Sequence, residues 1–141
     1  MFSLKGKSAL VTGAGDASGI GFAAAKALKE LGAEVFITST SDRIYARAEE
    51  LGVKGFIADL TKESDVQALE SKISSLDILV NNAGMTSVTS PAGEDEATDI
   101  SQLSLEALRS GMSRNLETAF LATKYFLPKI RKSKSGRIIM I

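Results

Sequence analysis

The residues with the clearest chemical potential form a glycine-rich segment near the start of the chain. It spans residues 12–21, has the sequence TGAGDASGIG and follows a short apolar run at residues 8–12. Glycines let backbone approach a phosphate closely, and the free N–H groups at the start of a helix attract anions. Because the segment follows a predicted strand and begins a predicted helix, it indicates binding of dinucleotide phosphates. A flexible strand-to-helix turn without a ligand is the alternative.

The composition limits which other chemistry the chain can carry. The 141 residues include no Cys and no His. A disulfide framework, thiolate catalysis and the commonest general base are therefore excluded, and we expect no metal site. Any proton transfer must come from Tyr, Lys, Ser or carboxylates. Lys plus Arg equals Asp plus Glu at 17 each, so a nucleic-acid partner lacks its main electrostatic driving force.

The same composition indicates a soluble globular domain that spans residues 1–141. Hydrophobic residues make up 44% and charged residues 24%, which are close to the globular average. No apolar run approaches the roughly 18 residues that a membrane helix needs. The first residues also lack the apolar core of a signal peptide. We therefore expect a cytoplasmic protein with no membrane partner.

The elements that would position the glycine-rich segment alternate between strand and helix. Apolar runs predict five strands, at residues 8–12, 34–38, 55–58, 77–80 and 137–141. Apolar residues at helical spacing predict helices between them, with Ser41 and Thr61 as N-caps of the second and third. This alternation predicts an α/β fold with a doubly wound parallel sheet. Ligands of such sheets bind beyond the carboxyl ends of the strands.

The segment between the fourth and fifth predicted strands has two parts. Residues 85–103 are polar and acidic and predict an exposed loop. A helix is expected from about Ser104, and Pro128 should bend or end it. The predicted core-facing stripe of this helix consists of Met112, Leu116, Ala119, Phe120, Thr123, Leu127 and Ile130. Three apolar residues lie partly outside that stripe: Leu121, Tyr125 and Phe126. They suggest an interface between copies of the chain, and a core role for all three is the alternative.

Three motifs in the expected order resemble the signatures of the short-chain dehydrogenase/reductase family. They are the glycine pattern of residues 6–21, the Asn-Asn-Ala-Gly segment of residues 81–84 and the segment of residues 115–123. The resemblance covers essentially the whole chain and is greatest to 3-oxoacyl-[acyl-carrier-protein] reductases. It implies a Rossmann fold, with strand order 3-2-1-4-5 in this chain. It also implies hydride transfer between a nicotinamide cofactor and a carbonyl or alcohol substrate. The family also pairs its long helices about a two-fold axis, which implies a homodimer or homotetramer.

One departure from the family pattern concerns the glycine-rich segment. The family usually has three residues between its Thr-Gly and its Gly-x-Gly, whereas this chain has five, residues 14–18. The longer loop resembles the enoyl-reductase branch, but that branch lacks the Asn-Asn-Ala-Gly segment. The residues at the helix entrance are therefore the safest candidates for phosphate contact.

The resemblance assigns roles to residues beyond the glycines. Asp59 would accept a hydrogen bond from the adenine amino group and Leu60 would pack on the adenine ring, although Asp59 alone is better explained as a loop carboxylate leading into Thr61. Asn115 matches the family's catalytic Asn, which supports its helix and a water molecule. The full cofactor-binding set is Gly13, Ser18, Gly19, Ile20, Ser39, Thr40, Asp59, Leu60, Asn82, Ala83 and Gly84.

The choice of cofactor depends on the end of the second predicted strand. NAD-specific relatives carry an acidic residue there, which binds the ribose hydroxyls and repels a 2′-phosphate. This chain has Ser39 in the neutral segment 38–41, with Arg43 nearby. Hydroxyl groups can donate to a phosphate, so we expect NADP (NADPH) in preference to NAD. A turn followed by an N-cap is the alternative explanation of these residues.

The family's catalytic Ser, Tyr and Lys have no suitable match. Tyr125 and Lys129 have the family's spacing, but they precede the fifth strand, whereas the family's pair follows it. Ser113 lies twelve residues before Tyr125, which is about 18 Å along a helix, so these groups could not converge on one substrate oxygen. Pro128 also disturbs the pairing. We expect the catalytic trio beyond Ile141.

The last residues bear on the same expectation. Residues 138–141 are Ile-Ile-Met-Ile, and a strand that is apolar on both sides belongs inside a parallel sheet. At an edge it would expose unpaired backbone, so we expect a longer protein whose C-terminal strands are missing here. A partner that covers the edge is the alternative. We further expect residues 1–141 alone to be inactive and marginally stable.

These expectations leave three functional hypotheses. The first is an NADPH-dependent carbonyl or 3-oxoacyl reductase that acts on a small molecule or an acyl thioester. The second is a non-catalytic domain that binds or senses NADP(H). The third is a packing domain whose glycine-rich loop is empty.

Overall fold

Five short strands form one parallel sheet in the computed structural model, which describes residues 2–84 and 99–141. The strands are β1 (Ser8–Val11), β2 (Glu34–Ser39), β3 (Lys54–Ile57), β4 (Ile78–Asn81) and β5 (Arg137–Met140). Their order is β3-β2-β1-β4-β5, and each neighbouring pair is parallel. The predicted fold class and strand order are therefore confirmed.

Helices connect the strands as the alternating pattern predicted. They are α1 (Ile20–Glu30), α2 (Arg43–Leu51), α3 (Glu63–Lys72), α4 (Leu105–Met112) and α5 (Thr118–Lys132), with a π-helical turn at Ser113–Glu117. Ser104 is the N-cap of α4, and its hydroxyl accepts a hydrogen bond from Ala107 N. Of the predicted loop at residues 85–103, residues 85–98 lie outside the described residues.

The helices pack in two layers, one on each face of the sheet. Helices α1 and α2 cover the face that carries Val11, Ile37 and Val80. Helices α3 and α5 cover the other face, where Leu10 and Leu79 lie. Neighbouring side chains along a strand are therefore buried on opposite faces of the sheet, as expected for a doubly wound sheet. Within the described parts of the chain, no helix combines the length and the apolar character needed to cross a membrane.

The two predicted N-caps are wrong. Asp42, not Ser41, precedes α2, and Lys62, not Thr61, precedes α3; neither helix has a side-chain capping bond. The Ser41 hydroxyl accepts a hydrogen bond from Arg43 Nε instead. The Thr61 hydroxyl donates to Asp59 Oδ1 at 2.6 Å. Both hydroxyl groups are used by the turns after β2 and β3, so they do not reach the helix N–H groups.

The predicted faces of the last long helix are wrong in part: Ile130 is buried as predicted, but the other buried residues lie outside the predicted stripe. The residues of α5 that are buried are Thr118, Ala122, Phe126 and Ile130. Phe126 has no exposed surface, whereas Met112, Leu116 and Phe120, which the periodicity assigned to the core, are 51–60% exposed. Leu121 and Tyr125 pack against the core as well, so the predicted interface residues do not form a surface patch.

One feature of the backbone explains this error. The π-helical turn at Ser113–Glu117 inserts a residue into the helical repeat, so a single period no longer describes the segment on both sides of it. Pro128 does not end α5, which continues to Lys132.

Strand β5 lies at one edge of the described sheet. Its Ile139 and Met140 side chains are 44% and 62% exposed. The edge position and these exposures match the expectation for a fifth strand without a further neighbour.

Candidate functional site

The candidate site lies at the carboxyl ends of the strands, where the sheet has its switch point. The chain runs from β1 to β2 and β3 on one side of the sheet, and β4 and β5 lie on the other side. In doubly wound sheets, ligands bind in the crevice that opens at this point. The segments that leave β1 and β4 border this crevice.

Thr12 joins these two segments. Its hydroxyl oxygen accepts hydrogen bonds from the backbone N–H groups of Asn82 and Ala83, both at 3.0 Å, and donates to Val80 O at 3.3 Å. Asn82 returns two further bonds, because its Nδ2 donates to the carbonyl groups of Thr12 and Gly13, both at 3.0 Å. The predicted residues Gly13, Asn82 and Ala83 thus form one junction, which we call the β1–β4 junction.

Two glycines are required by the close packing of this junction. Gly13 has φ +69°, and a Cβ built on it would lie 2.7 Å from Ala83 Cα. A Cβ on Gly21 would lie 2.5 Å from Asn82 Nδ2 and 2.8 Å from Gly13 O. Any side chain at either position would displace backbone or the Asn82 amide. Part of the glycine pattern therefore serves contact between protein segments, whether or not a ligand is bound.

The start of α1 offers the donors that a phosphate needs. Gly19 is the N-cap, has an extended backbone and makes no side-chain capping bond. The N–H groups of Ile20, Gly21 and Phe22 have no acceptor in the parts of the chain that the structure describes. Unpaired N–H groups together with the positive end of the helix dipole form a general anion site. The residues at this position fit the pyrophosphate of a dinucleotide.

The longer loop is organised by Asp16. Asp16 Oδ1 accepts hydrogen bonds from Ser18 N and Ser18 Oγ, both at 2.9 Å, and Asp16 O accepts one from Gly19 N at 3.0 Å. The bonds from the Ser18 backbone and hydroxyl are the main reason that the pKa of Asp16 is lowered. Both donors of Ser18 are thus held by a carboxylate, and its predicted contact with phosphate stays a prediction.

The end of β2 lies beside this loop. Ser39 Oγ donates to Ser41 O at 2.8 Å and accepts from Ser41 N at 3.2 Å, which closes a turn after the strand. A Cβ on Gly15 would lie 3.0 Å from Ser39 Oγ, so the loop packs directly against this turn. Thr40 is exposed next to it. Sequence reasoning did not find the contact, because only the longer loop brings Gly15 to Ser39.

The end of β3 continues the same edge of the sheet. Ala58 N donates to Ser39 O at 2.9 Å, which places Asp59 near the turn after β2. The pKa of Asp59 is lowered mainly by the hydrogen bond that it receives from the Thr61 hydroxyl. Lys62 Nζ lies 3.4 Å from Asp59 Oδ2. Leu60 is buried in the core on the α3 and α5 side. The roles of Asp59 and Leu60 toward adenine stay predictions.

Asn115 packs against Gly84, the residue that directly follows the β1–β4 junction. The π-helical turn carries it, and its Nδ2 donates to Gly111 O at 2.8 Å. Asn115 Oδ1 lies 2.5 Å from where a Gly84 Cβ would be, so only glycine fits beneath it. Such π-helical turns often occur at functional sites. The structure therefore brings Asn115 to the turn after β4, while its catalytic role stays a prediction.

Tyr125 and Lys129 face helix α3. Tyr125 OH donates to Glu63 Oε1 at 2.5 Å and accepts from Gln67 Nε2 at 2.9 Å. Lys129 Nζ donates to the carbonyl groups of Glu70 and Ile73, both at 2.5 Å. The two side chains therefore bind different turns of α3 and connect the helices of one layer. In residues 2–84 and 99–141, no group of three His, Cys, Asp or Glu residues could hold a metal ion.

Comparison with known proteins agrees with this geometry. The family model described as short chain dehydrogenase matches residues 7–141. The chain is 36% identical over 148 residues to 3-oxoacyl-[acyl-carrier-protein] reductase of Vibrio cholerae, covering 99% of this chain and 55% of that protein. It is 34% identical over 152 residues to 2-dehydro-3-deoxy-D-gluconate 5-dehydrogenase of Formosa agariphila, covering 100% and 53%.

A solved structure shows the same fold. The RhlG/NADP active-site complex of Pseudomonas aeruginosa superposes with a TM-score of 0.84 at 30% identity, covering 99% of this chain and 55% of that one. The chain thus spans about half the length of the curated relatives it matches. With the family model matching almost all of its residues, the chain belongs to the short-chain dehydrogenase family.

Proposed function

We propose that residues 1–141 form the dinucleotide-binding domain of an oxidoreductase, the N-terminal part of a single short-chain dehydrogenase domain. The whole protein would transfer hydride between a nicotinamide cofactor and a carbonyl or alcohol substrate. The observation that carries this proposal is the set of N–H groups at Ile20, Gly21 and Phe22, which have no acceptor among the described residues and lie beside the β1–β4 junction. When bound, the cofactor would supply the hydride, and the role of this chain is to hold its phosphates at the switch point.

We further propose that the cofactor is NADP(H) in preference to NAD(H). The turn after β2 carries Ser39, Thr40 and Ser41 and no carboxylate, and Arg43 Nε lies 3.2 Å from Ser41 Oγ. A guanidinium at this place suits a 2′-phosphate better than two ribose hydroxyl groups. The similar Pseudomonas aeruginosa protein is a complex with NADP, which supports this choice.

The substrate class proposed is a small carbonyl compound, with 3-oxoacyl thioesters as the first to test. The Vibrio cholerae relative supports the thioester, whereas the Formosa agariphila relative is named for a sugar acid. We also propose a cytoplasmic homodimer or homotetramer. Its support is an exposed apolar stripe at helical spacing, formed by Leu105, Leu108, Met112, Leu116 and Phe120.

A substitution at the helix entrance tests the binding proposal. Gly19→Asp would place a carboxylate where the pyrophosphate is expected, and Ala46→Asp adds the same charge at an exposed position of α2 as the control. NADPH affinity is measured by fluorescence titration, and far-UV circular dichroism checks the fold. We expect the affinity to be lost in Gly19→Asp and kept in Ala46→Asp. Equal affinity of the two folded variants would refute dinucleotide binding at this loop.

The complete gene product tests the reaction. NADPH oxidation with a 3-oxoacyl thioester, a 5-keto sugar acid and 3-oxobutyrate would identify the substrate class. Binding of NADPH without turnover of any carbonyl compound would favour the alternative of a cofactor-sensing domain.

A further inference from the structure

The longer glycine-rich loop reaches the part of the site where the ribose of the cofactor is expected. Gly15 packs on the turn after β2, since a Cβ on it would lie 2.9 Å from Ser39 Cβ. The backbone confirms this proximity, because Ala14 N donates to Thr38 O at 2.8 Å. Asp16 directly follows Gly15. The extension therefore carries a carboxylate to the turn that distinguishes NADP(H) from NAD(H).

The Asp16 side chain is held in one position. Its Oδ1 binds both the N–H and the hydroxyl group of Ser18, and its own carbonyl group binds Gly19 N. An acceptor that receives two hydrogen bonds is stabilised in its charged form, and the pKa of Asp16 is accordingly lowered. The carboxylate is therefore ionised throughout the neutral pH range in which cofactor binding is measured.

Two basic residues of α2 act on the Asp16 carboxylate. Arg43 and Arg47 both contribute to the lowered pKa of Asp16, although less than the hydrogen bonds from Ser18 do. Arg43 Nε binds Ser41 Oγ at the turn after β2, and Arg47 Nε lies 3.3 Å from Glu50. A 2′-phosphate attracted by Arg43 would thus approach a cation that already faces a negative charge. The positive potential available to that phosphate is reduced by Asp16.

We propose that Asp16 is a specificity-determining residue that opposes binding of the 2′-phosphate of NADP(H) at the turn formed by Ser39–Ser41. The proposal rests on the proposed function, since it concerns the cofactor of that same site. It states that Arg43 favours NADP(H) and that the longer loop limits this preference through one carboxylate. Loss of that charge should strengthen NADPH binding and leave NADH binding nearly unchanged.

Two substitutions at Asp16 separate its charge from its structural role. Asp16→Asn removes the charge but keeps an oxygen that can accept both bonds from Ser18. Asp16→Ala removes the acceptor as well. Glu30→Gln is the matched control, because it removes the same charge from an exposed position at the far end of α1. Dissociation constants for NADPH and NADH are measured by fluorescence titration at low and high salt.

We expect Asp16→Asn to lower the Kd of NADPH by about three- to tenfold, with a change of less than ~twofold for NADH. The effect should shrink in high salt, since screening weakens the interaction of exposed charges. We expect Asp16→Ala to weaken both cofactors, because the loop loses its internal bonds. Glu30→Gln should change neither Kd.

Distinct results would overturn the two proposals. If the wild-type chain binds NADPH and Gly19→Asp abolishes this, but Asp16→Asn leaves the ratio of the two dissociation constants unchanged, then Asp16 has only a structural role. If the wild-type chain binds neither cofactor, the proposed function itself fails.

Discussion

The β1–β4 junction and the α4–α5 segment carry function-related residues in two different ways. At the junction, Thr12, Gly13 and Asn82 contact one another through backbone atoms and short side chains. Along α4–α5, exposed and buried apolar residues alternate around a helix that a π-helical turn interrupts. The arrangement at the junction depends on residue type, because only glycine fits at positions 13 and 21. The arrangement along α4–α5 depends on helical phase, which one inserted residue changes. The positions of close-packed glycines are thus easier to infer from sequence than the orientation of a long amphipathic helix.

The largest expected effect comes from removing the fully buried aromatic ring of α5. Phe126→Ala removes a ring that has no exposed surface, and we expect it to reduce the free energy of unfolding by about 3–5 kcal/mol. Phe120→Ala, at a side chain that is 60% exposed, should change it by less than ~0.5 kcal/mol. Urea denaturation of the two variants measures this difference. Equal losses would show that the assigned phase of α5 is incorrect.

The glycines of the junction give the next largest effect. Gly21→Ala places a methyl group 2.5 Å from Asn82 Nδ2, and we expect a loss of about 1–3 kcal/mol. Gly111→Ala is the matched substitution in α4, where nothing lies within 4 Å of the added Cβ. There we expect a gain of up to about 1 kcal/mol, since alanine is the better helix former. A destabilising Gly111→Ala or a neutral Gly21→Ala would contradict the described packing.

Association of the chain tests the exposed stripe of the α4–α5 segment. Leu116→Ser with Phe120→Ser removes two of its large apolar side chains without touching the buried face. Light scattering at micromolar concentration should then show a smaller species than for the wild type. The double variant Leu121→Ser with Tyr125→Ser alters the face that packs on α3, so it should reduce stability instead. A wild-type protein that is monomeric would remove the proposed interface.

At the edge of the site, Ser39→Asp should change the cofactor preference. The new carboxylate could still accept the bond from Ser41 N, and its second oxygen would be available to ribose hydroxyl groups. We expect the ratio of NADPH to NADH affinity to fall about tenfold, which corresponds to about 1.4 kcal/mol. Ser71→Asp, which makes the same substitution at an exposed position of α3 outside the site, is the control. A wild-type chain that binds NADH at least as tightly as NADPH would refute the preference for NADP(H).

The smallest effect expected concerns Asp59 and depends on pH. Its pKa is lowered mainly by the hydroxyl of Thr61, so the interaction stabilises the fold above the ordinary carboxyl pKa. The stabilisation is lost as the pH falls through the lowered folded-state value. Thr61→Val should therefore destabilise the chain more at pH 7 than at pH 3, by less than ~1 kcal/mol at pH 7. Free energies of unfolding measured at both pH values would show no difference if this hydrogen bond were absent.

Much of the fold could be predicted from residue patterns. Apolar runs located all five strands to within a residue or so, and their alternation with helices predicted a doubly wound parallel sheet. The order β3-β2-β1-β4-β5 was implied by the family resemblance. The positions of Gly13, Asn82 and Asn115 could be predicted through the family motifs. The two N-caps could not, because a hydroxyl group near a helix start can equally bind a turn, as Ser41 and Thr61 do.

The sequence by itself determined the sheet, the glycine-rich loop at its switch point and the absence of His and Cys chemistry. These properties depend on residue type and on local spacing. Only the tertiary structure decided which face of α5 is buried, that Gly13 and Gly21 pack on the turn after β4, and that Gly15 packs on the turn after β2. Each of these outcomes depends on contacts between residues distant in the chain. No local pattern can specify them, since they arise when the strand ends are brought together.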